Sequence, residues 1–275
     1  MSWSQVDTKV LHVQAGGEEF VVKSAGSQSH HIGREITAHE SFAAALVRLD
    51  RTGRLIAADR SRNVLITTYQ PGVLVEGTTH ELNAAIHTQA GLVLRALHDQ
   101  HMRVDNDYER HATEKTFAWL DRPHQIAPHV ETEARRRLAA YVPVPVVLVP
   151  THGDWQPRNW LIHEGRLRVI DFGRFDFRPA ATDLCRLEVQ QWAQSAELET
   201  AFLDGYGRDP RDEKVWMINL LREAISTTVW AYQVQDSAFE SQGHRMLSEA
   251  LARFEGRPAP AVTRQSEADR SPCAT

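Results

Sequence analysis

Two short stretches of the chain carry acidic and amide side chains of the kind that position a hard cation. THGDWQPRNWLI contains Asp154 and Asn159, and HEGRLRVIDFGR contains Asp171. Carboxylate and amide oxygens suit Mg²⁺, which completes its shell with water and phosphate oxygens. We therefore expect Asn159 and Asp171 to be metal ligands. Asp154 precedes them on a loop, and we expect it to orient or deprotonate a substrate hydroxyl.

A predicted hairpin explains how these three side chains come together. The strand-like runs WLIH and RLRVI flank Glu164 and Gly165, which form a turn signal. Antiparallel pairing centred on Gly165 sets Asn159 and Asp171 at equal distances from the turn, roughly opposite each other. The hairpin and the loop before it then gather one amide and two carboxylates in one place.

The elements around this hairpin divide the chain into a small β-rich part and a larger helical part. Residues 1–69 contain strand-like runs and one predicted helix at 32–49. Residues 70–77 read as a linker. Residues 78–255 are predicted to be mainly helical, and residues 256–275 are polar and rich in Pro, Ala and Ser, which is typical of a disordered tail.

Periodicity places the helices of the larger part. Thr78 and Glu81 fit a capping box, which predicts that a long helix starts there. Apolar residues then recur at helical spacing, at Leu82, Ile86, Val93 and Leu97. Further helices are predicted at residues 130–141, 183–194, 196–204, 212–235 and 240–254. In the fourth of these, periodicity favours a core position for Trp230.

Composition excludes several classes of protein. The chain has 275 residues and is 42% hydrophobic, which is enough for one large domain or two lobes with a core. Its formal net charge of −5 argues against a nucleic-acid partner, which would require a basic face. The two cysteines, Cys185 and Cys273, favour a reducing cytoplasm over a disulfide framework. No apolar run is long enough for a membrane span and no signal-peptide pattern is present, so we expect a cytoplasmic monomer or homodimer.

HGDWQPRN, followed by a hairpin and IDFG, resembles the catalytic loop and metal motif of the aminoglycoside phosphotransferase family, which is related to protein kinases. The resemblance covers residues 8 to 250 in order and spacing, through FVVK, GREITAHE, ITTYQPG, LRALHDQ and ATDLCRL. It implies an α+β, two-lobed protein-kinase-like fold with a small β-rich N-lobe and a larger, mainly helical C-lobe. It also implies ATP and Mg²⁺ as cofactors and transfer of the γ-phosphoryl group of ATP to a small-molecule hydroxyl.

The resemblance assigns the nucleotide-binding residues of the N-lobe. Lys23 in FVVK corresponds to the strand lysine that binds ATP phosphates, and Glu35 to its helix partner, although Glu40 competes for that ion pair. ITTYQPG corresponds to the segment that holds adenine through backbone atoms of Thr67, Thr68 and Tyr69. In the larger lobe, the resemblance implies that Asp183 orders the catalytic loop and that His152 bonds to backbone near the metal.

The sequence departs from the family pattern at three places. The segment that would cover the phosphates, SWSQVDTK, lacks glycine, so Ser2, Ser4 and Thr8 would have to serve there. Arg158 stands where small residues are common, and it either reaches a phosphate or substrate or pairs with a surface acid. Gln156 stands where protein kinases carry a lysine. Neutralisation of the transferred phosphoryl group would then depend on Mg²⁺, Lys23 and Arg158.

The acceptor is inferred from the family and from the negative net charge. Both favour a cationic antibiotic, either an aminoglycoside or a cyclic peptide of the capreomycin and viomycin group, whose phosphorylation confers resistance. The acids that would face such a ligand are Asp176, Glu188, Asp236 and Glu240. The alternatives are a metabolite kinase of the same fold acting on choline, a sugar or homoserine, and a nucleotide-binding module without transfer activity.

Overall fold

A computed structural model describes residues 8–256 of the chain, apart from the side chain of Lys214. Two predictions lie outside these residues. One is the phosphate-covering role of Ser2 and Ser4, and the other is the disordered tail from residue 257 onward.

The N-terminal part is a four-stranded antiparallel sheet in the order β1-β2-β4-β3. Its strands are β1 (Thr8–Ala15), β2 (Glu18–Ala25), β3 (Leu55–Asp59) and β4 (Val64–Thr68). Gly16 and Gly17 both have positive φ, which gives the β1–β2 hairpin its tight two-residue turn. One face of this sheet is covered by a helix, and the contact buries Ile32, Ile36 and Leu65.

The predicted single helix at 32–49 is wrong, because the chain forms two helices there. These are α1 (His31–Ser41) and α2 (Ala44–Arg48). Between them Phe42 leaves helical geometry at φ −131°. Its ring stacks on Phe175 with 5.4 Å between centroids and meets Phe177 edge-on. This aromatic contact ties the end of α1 to the segment that follows Asp171.

The C-terminal part is mainly helical, as predicted. The α-helices described in this part are α3 (Ala84–His98), α4 (Tyr108–Leu120), α5 (Pro128–Ala140), α6 (Cys185–Val189), α7 (Ala196–Tyr206), α8 (Glu213–Gln233) and α9 (Ser237–Phe254). The sequence reading missed α4, whose apolar positions are few and whose exposed face is charged. The predicted helix at 183–194 is shorter, because residues 180–184 form a 3-10 turn and α6 ends at Val189.

The predicted capping box at Thr78 and Glu81 is wrong. Helix α3 starts later, where the side chain of Asn83 accepts a hydrogen bond of 2.9 Å from the backbone N–H of Ala85. Glu81 instead accepts from the N–H of Gly77 at 2.7 Å, which closes a turn. Asn is among the strongest N-cap residues, so it sets the start of the helix in preference to the threonine.

Helices α3 and α7 pack backbone to backbone through two glycines. A β-carbon on Gly91 would lie 2.1 Å from the carbonyl oxygen of Phe202, and one on Gly205 would lie 2.0 Å from that of Thr88. No side chain fits at either position. This close crossing fixes the position of α3. The helix ends at His98, near the loop at residues 152–159.

Two small sheets position the loops between the lobes. One has the order β5-β8-β9 and the other β10-β7-β6. Their strands are β5 (Val73–Leu74), β6 (Arg103–Asp105), β7 (Val146–Thr151), β8 (Trp160–His163), β9 (Arg166–Val169) and β10 (Asp176–Arg178). Strand β5 lies inside the predicted 70–77 linker and pairs with β8. The lobe boundaries at residues 69 and 78 stay a prediction.

One large buried cluster fills the helical part and includes Trp155, Trp160, Phe172 and Trp192. Trp230 does not join it, because its side chain is 38% exposed, and the core position predicted from periodicity is wrong. Within residues 8–256 no helix combines the length and apolar character that crossing a bilayer requires.

Candidate active site

The β8–β9 hairpin forms as predicted but its register differs by one residue. Trp160 pairs with Val169, and the next contact is a hydrogen bond of 3.0 Å from the N–H of Ile170 to the carbonyl of Asn159. The turn has two residues, both with positive φ, so its centre lies between Glu164 and Gly165. Asp171 therefore lies one residue beyond the partner of Asn159, still at the open end of the hairpin.

Asp183 holds the loop that leads into the hairpin. Its carboxylate accepts hydrogen bonds from the backbone N–H groups of His152 at 2.8 Å and Gly153 at 2.6 Å. His98 contacts the same carboxylate at 3.1 Å from the end of α3. His152 in turn contacts the carbonyl of Ile170 at 3.0 Å through Nε2. These contacts agree with the structural roles that the family resemblance implied for Asp183 and His152.

Gly153 is required by the shape of this loop. Its φ is +80°, and a β-carbon would lie 2.2 Å from the carbonyl oxygen of Arg174. The loop and the segment after Asp171 therefore touch through their backbones. This close approach places Asp154 against the side chains that follow Asp171.

Asp154 is almost completely buried and is surrounded by hydrogen-bond donors. Its Oδ1 accepts from Nε2 of Gln156 at 2.6 Å. Its Oδ2 accepts from Arg158 at 2.6 Å and from Nδ2 of Asn159 at 2.9 Å. Of the readings left open for Arg158, the structure places it on this acid rather than on a surface carboxylate.

Two further arginines approach the other oxygen of Asp154. A guanidinium nitrogen of Arg186 lies 3.1 Å from Oδ1, and one of Arg174 lies 3.8 Å away. Burial alone would raise the pKa of Asp154, but the charges of Arg186, Arg158 and Arg174 outweigh it and hold that pKa well below its usual range. The sequence reading missed Arg174 and Arg186. Their positions in the sequence could have indicated them, because Arg174 directly follows the DFG tripeptide and Arg186 lies three residues after Asp183.

Lys23 and Glu35 form the ion pair that the resemblance implied. Nζ of Lys23 on β2 lies 2.8 Å and 3.0 Å from the two carboxylate oxygens of Glu35 on α1, and 3.3 Å from Oδ1 of Asp171. Glu40, the competing acid, pairs with Arg60 instead. Burial would lower the pKa of Lys23, but the charges of Asp171 and Glu35 raise it, so the ammonium stays charged.

Asn159 and Asp171 are suited to hold Mg²⁺. The side chain of Asp171 is 54% exposed. The amide nitrogen of Asn159 donates to the carbonyl oxygen and to Oδ2 of Asp154, and these two hydrogen bonds do not involve its amide oxygen Oδ1. Among the described residues no group of three or more His, Cys, Asp or Glu side chains is arranged to bind a metal. One carboxylate and one amide match an ion that draws its remaining ligands from water and phosphate.

The predicted adenine segment is partly engaged by the sheet. The N–H of Thr68 donates to the carbonyl of Arg54 at 2.9 Å, and that of Tyr69 donates to Glu19 at 2.9 Å. Thr67 pairs with neighbouring strands on both sides. An adenine would have to use peptide groups other than these two amides. Ser4, the remaining predicted nucleotide residue, lies outside the described residues.

The four acids predicted to face a cationic acceptor are already engaged within the protein. Glu188 pairs with Arg211 at 3.1 Å and also with Arg253. Asp236 caps α9 by accepting from the N–H of Phe239. Glu240 lies 3.6 Å from His244, and Asp176 lies 3.8 Å from both Arg34 and Arg178. These residues do not form an open acidic surface.

Comparison with solved structures identifies the fold. A choline kinase, LicA from Streptococcus pneumoniae, aligns with a TM-score of 0.62 at 17% identity over 89% of each chain. Aminoglycoside phosphotransferase APH(4)-Ia in complex with ADP and hygromycin B aligns with a TM-score of 0.66 at 14% identity, covering 89% of this chain and 90% of that one. Macrolide 2'-phosphotransferase MphH from Brachybacterium faecium aligns with a TM-score of 0.61 at 18% identity, covering 88% and 89%. The fold is therefore kinase-like.

Comparison with curated protein sequences gave no match. The sequence does match the APH family, described as the phosphotransferase enzyme family, over residues 3–216. That span includes the lysine strand, the catalytic loop, the hairpin and Asp183. The chain thus belongs to the phosphotransferase enzyme family.

Proposed function

We propose that this chain transfers the γ-phosphoryl group of ATP to a hydroxyl group of a small molecule. The observation that carries the proposal is the meeting of Lys23, Glu35 and Asp171. These residues come from a strand, a helix and a hairpin end that are far apart in sequence, and they meet beside the loop of Asp154. An inert module has no need to hold a part-buried lysine between two carboxylates and to keep the buried carboxylate of Asp154 ionised beside it.

The nucleotide would lie between the N-terminal sheet and the hairpin. Lys23, held by Glu35, binds the phosphates as a fixed positive charge. Asn159 and Asp171 would hold Mg²⁺, which when bound would neutralise charge on the phosphate oxygens. Most of the catalytic effect then comes from positioning and electrostatic stabilisation, because phosphoryl transfer requires little covalent chemistry from the protein.

In the transfer step, the acceptor oxygen forms a bond to the γ-phosphorus while the bond from that phosphorus to the leaving oxygen of ADP breaks. Asp154 orients the acceptor hydroxyl and takes its proton as the new bond forms. The products are ADP and a phosphate monoester.

The acceptor class has two candidates. Structural neighbours named as aminoglycoside and macrolide phosphotransferases support a cationic antibiotic of the aminoglycoside or capreomycin type, whose phosphorylation would confer resistance. A neighbour named as a choline kinase supports a small metabolite. Because Asp176, Glu188, Asp236 and Glu240 have partners within the protein, they add no support to the cationic choice, which depends on the family, the negative net charge and the neighbours.

The test is release of ADP by the full chain with ATP and Mg²⁺, measured against aminoglycosides, capreomycin, viomycin, choline, homoserine and simple sugars. Acceptor-dependent release is expected for at least one compound. Asp154→Asn should bind ATP as tightly as wild type and lose about 10² to 10⁴-fold in turnover, the range of a general base. Calorimetry supplies the binding measurement.

A matched variant separates the base from general damage to the site. Glu164→Gln alters an acid at the far turn of the same hairpin and should leave turnover unchanged. Retained turnover in Asp154→Asn would move the base elsewhere, and failure of the chain to bind ATP at all would refute the proposed function.

A further inference from the structure

The environment of Asp154 is strongly cationic although the chain as a whole is acidic. Arg158, Arg174 and Arg186 all lie within 4 Å of its carboxylate. Glu223 pairs with Arg186 at 2.9 Å, so Asp154 and Glu223 together face three arginines and leave one guanidinium charge in excess at this point.

The two carboxylate oxygens of Asp154 differ in the number of hydrogen bonds that they accept. Oδ2 accepts hydrogen bonds from Arg158 and Asn159, which fills both of its lone pairs. Oδ1 accepts one hydrogen bond, from Gln156. An acceptor hydroxyl therefore binds at Oδ1, the oxygen that faces Arg174 and Arg186, and the rest of the acceptor lies against these two guanidinium groups.

Arg186 is buried and has unused hydrogen-bonding capacity. Its side chain is 6% exposed, and its Nε donates to Glu223 at 2.9 Å. The NH1 group has no hydrogen-bond partner, although it lies 3.1 Å from Oδ1 of Asp154. NH1 is therefore compensated by the charge of Asp154 but makes no aligned hydrogen bond, and an anionic oxygen placed beside it would accept one.

More cations continue the positive region outward from Arg174. Arg178 donates to the carbonyl of Arg174 at 2.9 Å, and Arg34 reaches from α1 to within 3.8 Å of Asp176. Burial first, and then the charges of Arg178 and Arg34, lower the pKa of Lys115 on α4. Six cationic side chains thus lie in the region from Asp154 outward, together with the five carboxylates of Asp154, Asp171, Asp176, Glu223 and Glu76.

We propose that the acceptor carries an anionic group, a carboxylate or a phosphate or sulfate ester, close to the hydroxyl that is phosphorylated, and that Arg174 and Arg186 bind it. The inference rests on the proposed phosphotransfer and narrows its substrate class. Planar guanidinium groups bind such anions through paired N–H donors. In this role Arg174 and Arg186 determine specificity, and they also hold the hydroxyl at Oδ1 by fixing the group next to it.

An alternative role for Arg174 and Arg186, binding of the transferred phosphoryl group, makes a different prediction. If they served only the transferred phosphoryl group, a bound ATP analogue would fill their site and no further anion would bind. The two roles are therefore distinguished by asking whether an anion binds beside an intact triphosphate.

The test is titration of the full chain with inorganic sulfate by calorimetry, after saturation with Mg²⁺ and the non-hydrolysable analogue AMP-PNP, whose γ-phosphoryl group fills the transfer position. Saturable sulfate binding is expected. Arg174→Gln should weaken it by at least about tenfold, the loss of one charge-assisted pair, while Arg174→Lys should recover part of it. Arg136→Gln, which removes an exposed arginine of α5 that pairs with Glu133, should bind sulfate as wild type does.

Each outcome decides the proposal. Absence of saturable sulfate binding beside the analogue, or equal affinity in wild type and Arg174→Gln, would overturn it. AMP-PNP affinity is recorded separately: unchanged in Arg174→Gln, it shows that the variant is folded and that nucleotide binding is independent of this site. If the analogue fails to bind at all, the proposed function fails, and the inference that rests on it fails with it.

Discussion

The surroundings of Lys23 determine the role that we propose for it. The chain has four lysines, and Lys23 lies between two carboxylates at the junction of the sheet, α1 and the hairpin. Glu35 is 3% exposed, so its charge depends on this partner. Under the proposed function the pair binds phosphates, and removing one member would leave the charge of the other uncompensated and lower stability.

Lys23→Met should weaken binding of ATP by at least about tenfold, because the fixed charge that meets the phosphates is lost. It should also destabilise the fold, since removing one partner of a buried pair costs about 3–5 kcal/mol. The double variant Lys23→Met/Glu35→Leu removes both charges and should recover stability without recovering binding. Calorimetry and thermal unfolding measure the two effects.

The control for this prediction lies on the neighbouring strand. Lys9 on β1 is exposed, and Lys9→Met should leave both nucleotide affinity and stability near wild type. Equal ATP affinity in Lys23→Met and wild type would remove Lys23 from the nucleotide site.

Residue-level expectations agree with the structure where the family resemblance supplied them, and failed where it did not. The Lys23–Glu35 contact and the hydrogen bonds of Asp183 were implied by the resemblance. The contacts of Arg174 and Arg186 with Asp154 do not, because they depend on how three loops approach one another in space. The engagement of the four predicted acceptor acids was also invisible, since a sequence does not show which cation lies beside which acid.

At the scale of elements, α1 joins the nucleotide side of the site to the segment after Asp171. His39 on this helix lies edge-on to Phe172, with 5.3 Å between ring centroids, and its Nδ1 is buried without a partner. Burial, and then the charge of Lys23, lower the pKa of His39 from 6.5 to about 4. Helix α1 thus carries the imidazole of His39 in its neutral form.

The stability of the protein should therefore decrease as the pH falls from about 6.5 toward 4. In that range the unfolded chain binds a proton at His39 and the folded chain does not, so protonation favours unfolding. Between pH 7 and pH 5, wild type should lose about 2 kcal/mol more than His39→Gln. Urea unfolding at the two pH values measures the difference.

His129→Gln serves as the matched control, because it removes an exposed histidine on α5 and corrects for any general effect of losing an imidazole. Parallel pH profiles for wild type and His39→Gln would show that His39 is protonated equally in the folded and unfolded states.

Helices and strands were predicted correctly where neighbouring residues determine the structure, and were mispredicted where distant contacts determine it. The β8–β9 hairpin was predictable because its turn and both strands are adjacent in the chain, and only its register differed by one residue. The break between α1 and α2 was not, because it is stabilised by the contact of Phe42 with Phe175, more than a hundred residues away. Helix α4 was missed because its stability comes from buried contacts such as that of Glu109 with Arg222 rather than from an apolar stripe.

At the scale of the whole molecule, the loop between α2 and β3 attaches the N-terminal sheet to the hairpin that carries Asp171. The N–H of Val169 donates to the carbonyl of Arg51 at 2.7 Å, and Oγ1 of Thr52 donates to the carbonyl of Val169 at 2.9 Å. Arg168 on the hairpin also pairs with Asp50. The two lobes are thus joined beside the predicted metal ligands as well as along the chain.

Thr52→Val should lower the free energy of unfolding by about 1–2 kcal/mol, because it keeps the buried shape and removes one hydrogen bond between the lobes. Thr200→Val on α7, where an exposed threonine bonds only within its own helix, should change stability by less than about 0.5 kcal/mol. Chemical denaturation measures both. Equal stability of the two variants would show that the loop contact contributes nothing across the lobes.

The position of this attachment has a mechanical consequence. A rocking motion of the N-terminal sheet that pivots at Val169 displaces each atom in proportion to its distance from the pivot. Lys23 and Asp171 are in contact near this attachment, so such a motion would shift them little relative to each other, whereas the β1–β2 turn at Gly16 and Gly17 would be displaced more. Under the proposed function, the cleft would then open to a nucleotide without separating Lys23 from Asp171.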